Sequence, residues 1–194
     1  FFKQTLGDLV PTPQDRIKIP EDGENIKLGN RTLTFIDTPG HARHHYCVWD
    51  EASKGIFSGD TLGASYREFD TAKGELIFPP TTPVQFDPSA WHNTIDKLLK
   101  LQPECAYLTH FSRMPFSEDN AQKLKNGIDS FAAIALKHKG SKNRFEVIKK
   151  SLGRYLLHCA AEHDVSLEKT LQMTLFEDDL GICTQGLDVW LSRQ

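Results

Sequence analysis

The chain has 194 residues, of which 39% are hydrophobic and 25% charged, and its formal net charge is −3. This is the composition of a soluble globular protein of one domain, or of one domain with an appendage. The acidic balance and the lack of a long basic run disfavour nucleic acid or an anionic membrane as a partner, and no apolar run approaches the roughly 20 residues of a membrane helix.

Residues 1–24 are rich in Pro, Asp and Gly, and this pattern predicts a connector that leads into a folded unit. The N-terminus does not have the basic start and apolar core of a signal peptide, and because it does not begin with Met, we expect that the true start lies upstream or was removed. The four cysteines are widely spread and form no CxxC pair. We therefore expect reduced thiols in a cytoplasmic protein.

Alternating apolar residues predict two strand pairs in the first part of the chain. Residues 25–28 and 31–37 flank Gly29-Asn30, which is a two-residue hairpin signal. Residues 46–49 and 55–58 flank a polar turn and predict a second pair.

A helix and a further strand follow. Asp87-Pro88 is a helix start, with Asp at the N-cap and Pro at the first helical position, and Pro103 ends the helical pattern. The apolar run 105–108 then predicts a buried strand. The order strand, helix, strand indicates a crossover connection, so we predict the α/β class.

Beyond residue 116 the sequence shows only helical periodicity. Apolar stripes cover 124–135 and 145–159, Ser166 is the predicted N-cap of a third helix, and a last stripe covers 180–190. We interpret these stripes as core positions of a helical extension over residues 116–194.

Three side chains that can bind a metal each follow a predicted strand. His41 comes after Pro39-Gly40, Asp60 comes after Gly59, and His110 ends the third strand. The sheet holds such strand ends while the loop supplies the side chain. Two neutral imidazoles and a carboxylate suit zinc, and would also accommodate iron or manganese. The sequence therefore predicts a metal site at one edge of the sheet.

The three segments DTPGH (37–41), FSGDT (57–61) and YLTH (107–110) resemble, in order and spacing, the last three ligand motifs of the metallo-β-lactamase-fold hydrolases. The resemblance implies that His41 binds a first metal, that Asp60 bridges two metals and holds the reacting water in line, and that His110 binds the second. It also implies two zinc ions in the intact protein. The implied fold is an αββα sandwich, of which residues 25–115 are the second half.

The family's upstream HxHxDH motif, which supplies further ligands, is absent, because His41 is the first histidine of the chain. We expect the chain to be a fragment; a degenerate relative that has lost the centre is the alternative. Residues 1–194 alone are predicted to bind metal weakly and to show no turnover. The exposed sheet face is expected to be covered by the missing N-terminal half in trans or by a second copy in a homodimer, unless the fragment has rearranged.

The resemblance implies metal-dependent hydrolysis of a small ester, thioester or lactone, and the helical extension is similar to that of the glyoxalase II branch. We predict that Tyr66, Arg67 and His45 contact the substrate. Loop packing is the alternative for Tyr66 and Arg67; for His45 the alternatives are a hydrogen bond to a metal ligand and packing against the next strand. Two other functions stay open. The first is a mono-iron dioxygenase of the same fold, and the second is a non-catalytic binding or dimerisation module.

Overall fold

The computed structural model describes residues 10–81, 85–110 and 113–194, so residues 1–9 of the predicted connector lie outside it. Within these ranges six strands form one mixed sheet, in which the strands follow one another in chain order. They are β1 Asn25–Leu28, β2 Arg31–Asp37, β3 Tyr46–Asp50, β4 Gly55–Gly59, β5 Cys105–Leu108 and β6 Arg113–Pro115. The predicted α/β class is confirmed, as are the hairpin around Gly29-Asn30 and the β3–β4 pair.

The β4–β5 pair is parallel, whereas the other neighbouring strands are antiparallel. Gly59 at the end of β4 lies beside Leu108 at the end of β5, so both strands end at the same edge of the sheet. The crossover between them contains helix α1, Pro88–Leu99. Its predicted start is confirmed, because the Asp87 side chain accepts a hydrogen bond from the backbone of Ala90 at 3.0 Å.

The last part of the predicted connector attaches to the sheet. The backbone N–H of Gly23 donates to the carbonyl of Phe35 at 2.7 Å, and Asp22 accepts from the backbone of Asp37 at 2.8 Å. Asp22 also pairs with Lys97 of α1 at 2.9 Å. Residues 22–24 are therefore part of the folded unit, attached to β2 and α1, and do not form a free connector.

Three longer helices complete the described chain: α2 Glu118–Lys137, α3 Arg144–Glu162 and α4 Lys169–Leu191. The first two match the predicted stripes. The prediction of two separate helices after Ser166 is wrong, because one continuous helix begins at Lys169 and includes both stripes. Gly181 does not interrupt it, since a single glycine costs a helix only about 1 kcal/mol.

One face of the sheet is buried and the other is more exposed. Ile36, Cys47, Ile56 and Ala106 are buried in a core that the four helices share. The opposite face carries one row of side chains across β2 to β5, formed by Phe35, Val48, Phe57 and Tyr107. The rings of Phe57 and Tyr107 stack at 4.7 Å, and Phe57 is 47% exposed. This row, with Tyr46 beside it, is named the aromatic face.

The loop that follows β4 is fixed to α4 by aromatic packing. The rings of Phe69 and Phe176 stack at 4.6 Å, and Tyr66 and Phe78 contact the same cluster. Aromatic packing therefore holds this loop against the last helix.

Each of the four cysteines is a free thiol, as predicted. No helix among the described residues is long and apolar enough to cross a membrane.

Candidate metal centre

His41 lies in a loop that α1 holds in place. The backbone of Asp87 donates to the carbonyl of Gly40 at 2.8 Å, and the Thr94 hydroxyl donates to the carbonyl of Pro39 at 2.7 Å. Gly40 has φ +138°, and a Cβ there would lie 2.3 Å from the Cα of Trp91. Only glycine allows this close approach of loop and helix.

The imidazole of His41 is buried and has a fixed orientation. Its Nδ1 lies 2.8 Å from the carbonyl oxygen of Pro80, which can only accept, so Nδ1 carries the proton and donates. The ring also packs edge-on against Trp91, with centroids 5.6 Å apart. In the neutral ring, Nε2 is left with its lone pair and lies 3.4 Å from Oδ2 of Asp60.

Asp60 follows the tight turn at Gly59, whose φ is +50°. Its backbone N–H donates to Nε2 of His45 at 3.1 Å, which fixes the start of the loop. The carboxylate lies between two imidazoles, since Oδ2 faces His41 and Oδ1 lies 3.3 Å from Nε2 of His110. Oδ1 is buried and accepts no hydrogen bond.

His110 reaches this position because β4 and β5 are parallel neighbours. The backbone of Thr109 donates to the carbonyl of Gly59 at 3.3 Å, which continues the pairing by one residue beyond Leu108. The structure thus brings His41, Asp60 and His110 together, at the sheet edge where the sequence predicted a metal site.

The three side chains fit a divalent metal. Two atoms that each lie about 2.1 Å from a tetrahedral zinc ion are about 3.4 Å apart, and the observed imidazole–carboxylate separations are 3.4 and 3.3 Å. Burial lowers the pKa of His41, although the Asp60 carboxylate opposes this shift. Either a metal cation or a proton on Nε2 of His41 would satisfy the facing imidazole and carboxylate, and Oδ1 of Asp60 is left without a hydrogen bond.

The ligand set is nevertheless partial. Each carboxylate oxygen faces one imidazole, so each candidate metal position receives two ligands from these residues, whereas zinc sites in proteins use three or four. In agreement, no three His, Cys, Asp or Glu side chains of the described ranges are placed to hold one metal ion together. The set has the form of one carboxylate shared by two incomplete positions.

His45, Tyr66 and Arg67 take different places around this centre. His45 lies beneath Asp60, and burial lowers its pKa to about 4. The Tyr66 hydroxyl donates to the carboxylate of Asp179 on α4, while Arg67 pairs with Asp70 at 3.0 Å. Their contact with a substrate stays a prediction.

Sequence reasoning missed three groups that shape the site. The Pro80 carbonyl orients His41, and a backbone acceptor leaves no residue-specific signal in the sequence. Trp91 lies on the buried side of α1, and its Nε1 donates to the carbonyl of Thr61 at 2.6 Å. Asp179, on α4, accepts a hydrogen bond from Tyr66, and burial raises the pKa of its carboxyl group. A carboxylate on the apolar side of a helical stripe was the available signal for Asp179.

Comparison with known proteins agrees with this architecture. The family model described as the metallo-beta-lactamase superfamily matches residues 2–110. A metallo-beta-lactamase fold-containing protein of Sulfurisphaera tokodaii is 32% identical over 116 residues, which are 56% of this chain and 41% of that protein. A solved archaeal metallo-beta-lactamase superfamily protein from Sulfolobus tokodaii superposes with a TM-score of 0.56 at 20% identity, over 96% of this chain and 57% of that one. This likeness shows the fold.

Two further relatives match over shorter segments. Hydroxyacylglutathione hydrolase of Methylococcus capsulatus is 39% identical over 62 residues, which are 29% of this chain and 24% of that protein. The human acyl-coenzyme A thioesterase MBLAC2 is 46% identical over 44 residues, which are 23% of this chain and 16% of that protein. The matched segments thus cover less than half the length of each curated relative.

Proposed function

The chain belongs to the metallo-β-lactamase superfamily, and on this basis we propose that it carries part of the metal centre of a thioester hydrolase. The observation that carries the proposal is the position of the Asp60 carboxylate between Nε2 of His41 and Nε2 of His110. Two zinc ions in the whole protein are the proposed cofactor, with iron or manganese as substitutes.

The proposed chemistry assigns each side chain a task. When bound, a divalent metal supplies a water of lowered pKa and a positive charge against the oxyanion of the reacting carbonyl. His41 offers Nε2 in one tautomer because the Pro80 carbonyl holds its Nδ1 proton. Asp60 presents one oxygen to each histidine, and Trp91 excludes water from the buried side of His41.

The substrate class is proposed from two kinds of support. Hydroxyacylglutathione hydrolase and acyl-coenzyme A thioesterase, the two relatives with short matches, are both named for thioester substrates. Tyr66 and Arg67 border the loop after Asp60, and we propose that they contact the polar part of such a substrate. A small ester or lactone reacts by the same carbonyl attack and stays within the proposal.

We further propose that the aromatic face is covered in the functional protein, by an N-terminal half in trans or by a second copy. Phe57 and Tyr46 are 47% and 55% exposed on one sheet face, and soluble proteins rarely leave such a patch open to water. A cytoplasmic location is proposed from the four free thiols.

The test is metal content and thioester hydrolysis in the protein expressed from its complete gene. We expect zinc to copurify, and we expect Asp60→Asn to lower the rate of acyl-thioester cleavage by at least about a hundredfold. Asp119→Asn, on the exposed side of α2, is the matched control and should leave the rate unchanged. One iron per chain would instead favour a dioxygenase, and full activity in Asp60→Asn would exclude the proposed role of this carboxylate.

A further inference from the structure

His45 lies directly beneath the turn that presents Asp60. Its Nε2 accepts the hydrogen bond from the backbone N–H of Asp60 at 3.1 Å. Its Nδ1 lies 2.8 Å from the hydroxyl oxygen of Thr61 and 3.1 Å from that of Thr38. Both ring nitrogens of His45 therefore have partners within the protein.

The partners fix the tautomer of this ring. A backbone N–H can only donate, so Nε2 of His45 must accept and the proton must be on Nδ1. Nδ1 then donates to the Thr61 hydroxyl, its nearer partner, which is fully buried. His45 thus has the same tautomer as His41, with the proton on Nδ1, but the two rings use Nε2 differently: that of His41 faces the Asp60 carboxylate, whereas that of His45 accepts from the Asp60 backbone.

The turn at Gly59 is built around the same ring. A Cβ on Gly59 would lie 2.5 Å from Nε2 of His45, so the main chain passes directly over the imidazole. The carbonyl of His45 in turn accepts from the backbone of Thr38 at 2.9 Å, in the segment that leads to His41. One residue therefore connects the loop of His41 to the loop of Asp60.

We propose that His45 is a positioning residue of the metal centre. Its Nε2 holds the Asp60 backbone so that the carboxylate lies between the two metal-binding imidazoles, and Thr61 holds the ring in the tautomer that makes this possible. This inference rests on the proposed function, since it assigns the geometry of the same site. Hydrogen-bonded neighbours of metal ligands commonly change metal affinity by about 10- to 100-fold when they are replaced.

The test compares two amide substitutions. The side-chain amide of Gln reaches the position of the outer ring nitrogen, so His45→Gln can still accept from the Asp60 N–H. The shorter amide of Asn reaches only the inner position, so His45→Asn keeps a partner for Thr61 and loses the acceptor for Asp60. Both variants lose the ring, so their thermal stabilities should fall by similar amounts. Zn²⁺ affinity, measured by calorimetric titration below the unfolding transition, should fall by about 10- to 100-fold in His45→Asn and be largely restored in His45→Gln.

Because His45→Asn also removes the ring, Thr61→Val is a second variant that leaves the ring in place and removes the nearer of the two hydroxyls beside its Nδ1. Like His45→Asn, Thr61→Val should lower the affinity for Zn²⁺. Equal Zn²⁺ affinity in wild type, His45→Asn and Thr61→Val would overturn the inference, as would an equal loss in His45→Gln and His45→Asn. Asp60→Asn distinguishes a failure of the proposed metal centre from a failure of the proposed role of His45. If Asp60→Asn also leaves Zn²⁺ affinity unchanged, the proposed metal centre itself is wrong.

Discussion

Nε2 of His110 lies 3.3 Å from Oδ1 of Asp60, although the two residues belong to distant segments of the chain. They meet because Gly59 and Leu108 are partners in the parallel pair β4–β5, and each functional residue follows its strand within two positions. The same sheet edge receives His41 from the loop after β2. The candidate metal centre is thus a consequence of strand register, and changes that disturb the supporting loops should disturb the site.

Gly40→Ala is expected to lower both stability and Zn²⁺ affinity. The added Cβ would lie 2.3 Å from the Cα of Trp91, and the φ of +138° is unfavourable for any residue with a side chain. We expect a loss of more than about 2 kcal/mol in the free energy of unfolding, measured by denaturant titration.

Gly23→Ala is the matched control for Gly40→Ala. Gly23 also has positive φ, at +82°, but a Cβ there meets nothing within 4 Å. It should therefore report the backbone strain alone, which is about 1 kcal/mol. Equal losses in the two variants would show that the contact with Trp91 is unimportant.

Trp91→Phe should destabilise the protein through one lost hydrogen bond. Nε1 of Trp91 donates to the carbonyl of Thr61, next to Asp60, and both groups are buried. An unsatisfied buried carbonyl costs about 1–3 kcal/mol, so the unfolding midpoint in urea should fall. Trp49→Phe, at a partly exposed position of β3, is the comparison and should have a smaller effect. A midpoint that is unchanged by Trp91→Phe would contradict this role.

Asp179→Asn is expected to change the dependence of stability on pH. Burial raises the pKa of Asp179 in the folded protein, and the hydrogen bond from Tyr66 opposes this only in part. A carboxyl group with a raised folded pKa contributes stability below its unfolded pKa and loses that contribution as pH rises through its folded pKa. The melting temperature of Asp179→Asn relative to wild type should therefore increase as pH rises from 4 towards neutrality.

Asparagine keeps an acceptor for the Tyr66 hydroxyl and removes the buried charge, so Asp179→Asn isolates the titration. A difference between Asp179→Asn and wild type that is constant across this pH range would contradict the assignment.

The aromatic face gives a prediction about association. Phe57→Ser removes an exposed ring that stacks on Tyr107, so we expect weaker self-association of residues 1–194 in sedimentation velocity, with a small loss of stability. Phe78→Ser is the comparison, because it places a hydroxyl in the buried cluster with Phe176. It should lower the free energy of unfolding by several kcal/mol. If Phe57→Ser sediments as wild type does, the aromatic face is not the associating surface.

Local signals in the sequence were sufficient to predict most of the strands and helices. The Gly29-Asn30 turn and the Asp87-Pro88 helix start each depend on a few neighbouring residues, and the structure has both. The division of α4 was wrong because a helical stripe reports which side is buried, but does not report whether the chain stops between two stripes.

The site was only partly visible for a different reason. Histidine and aspartate at strand ends are recognisable from type and spacing, so His41, Asp60 and His110 could be named. The group that orients His41 is a main-chain carbonyl at Pro80, and the partner of Tyr66 is on α4, more than a hundred positions away. Such contacts depend on tertiary packing, and no local pattern in a single sequence predicts them.

The central claim is that the Asp60 carboxylate holds metal against the imidazoles of His41 and His110. Anomalous diffraction at the zinc absorption edge, from crystals of the protein grown with Zn²⁺, tests it most directly. We predict anomalous peaks within bonding distance of the Asp60 carboxylate and of Nε2 of His41 or His110. Zinc peaks only at other places on the surface, with these three side chains unliganded, would contradict the claim.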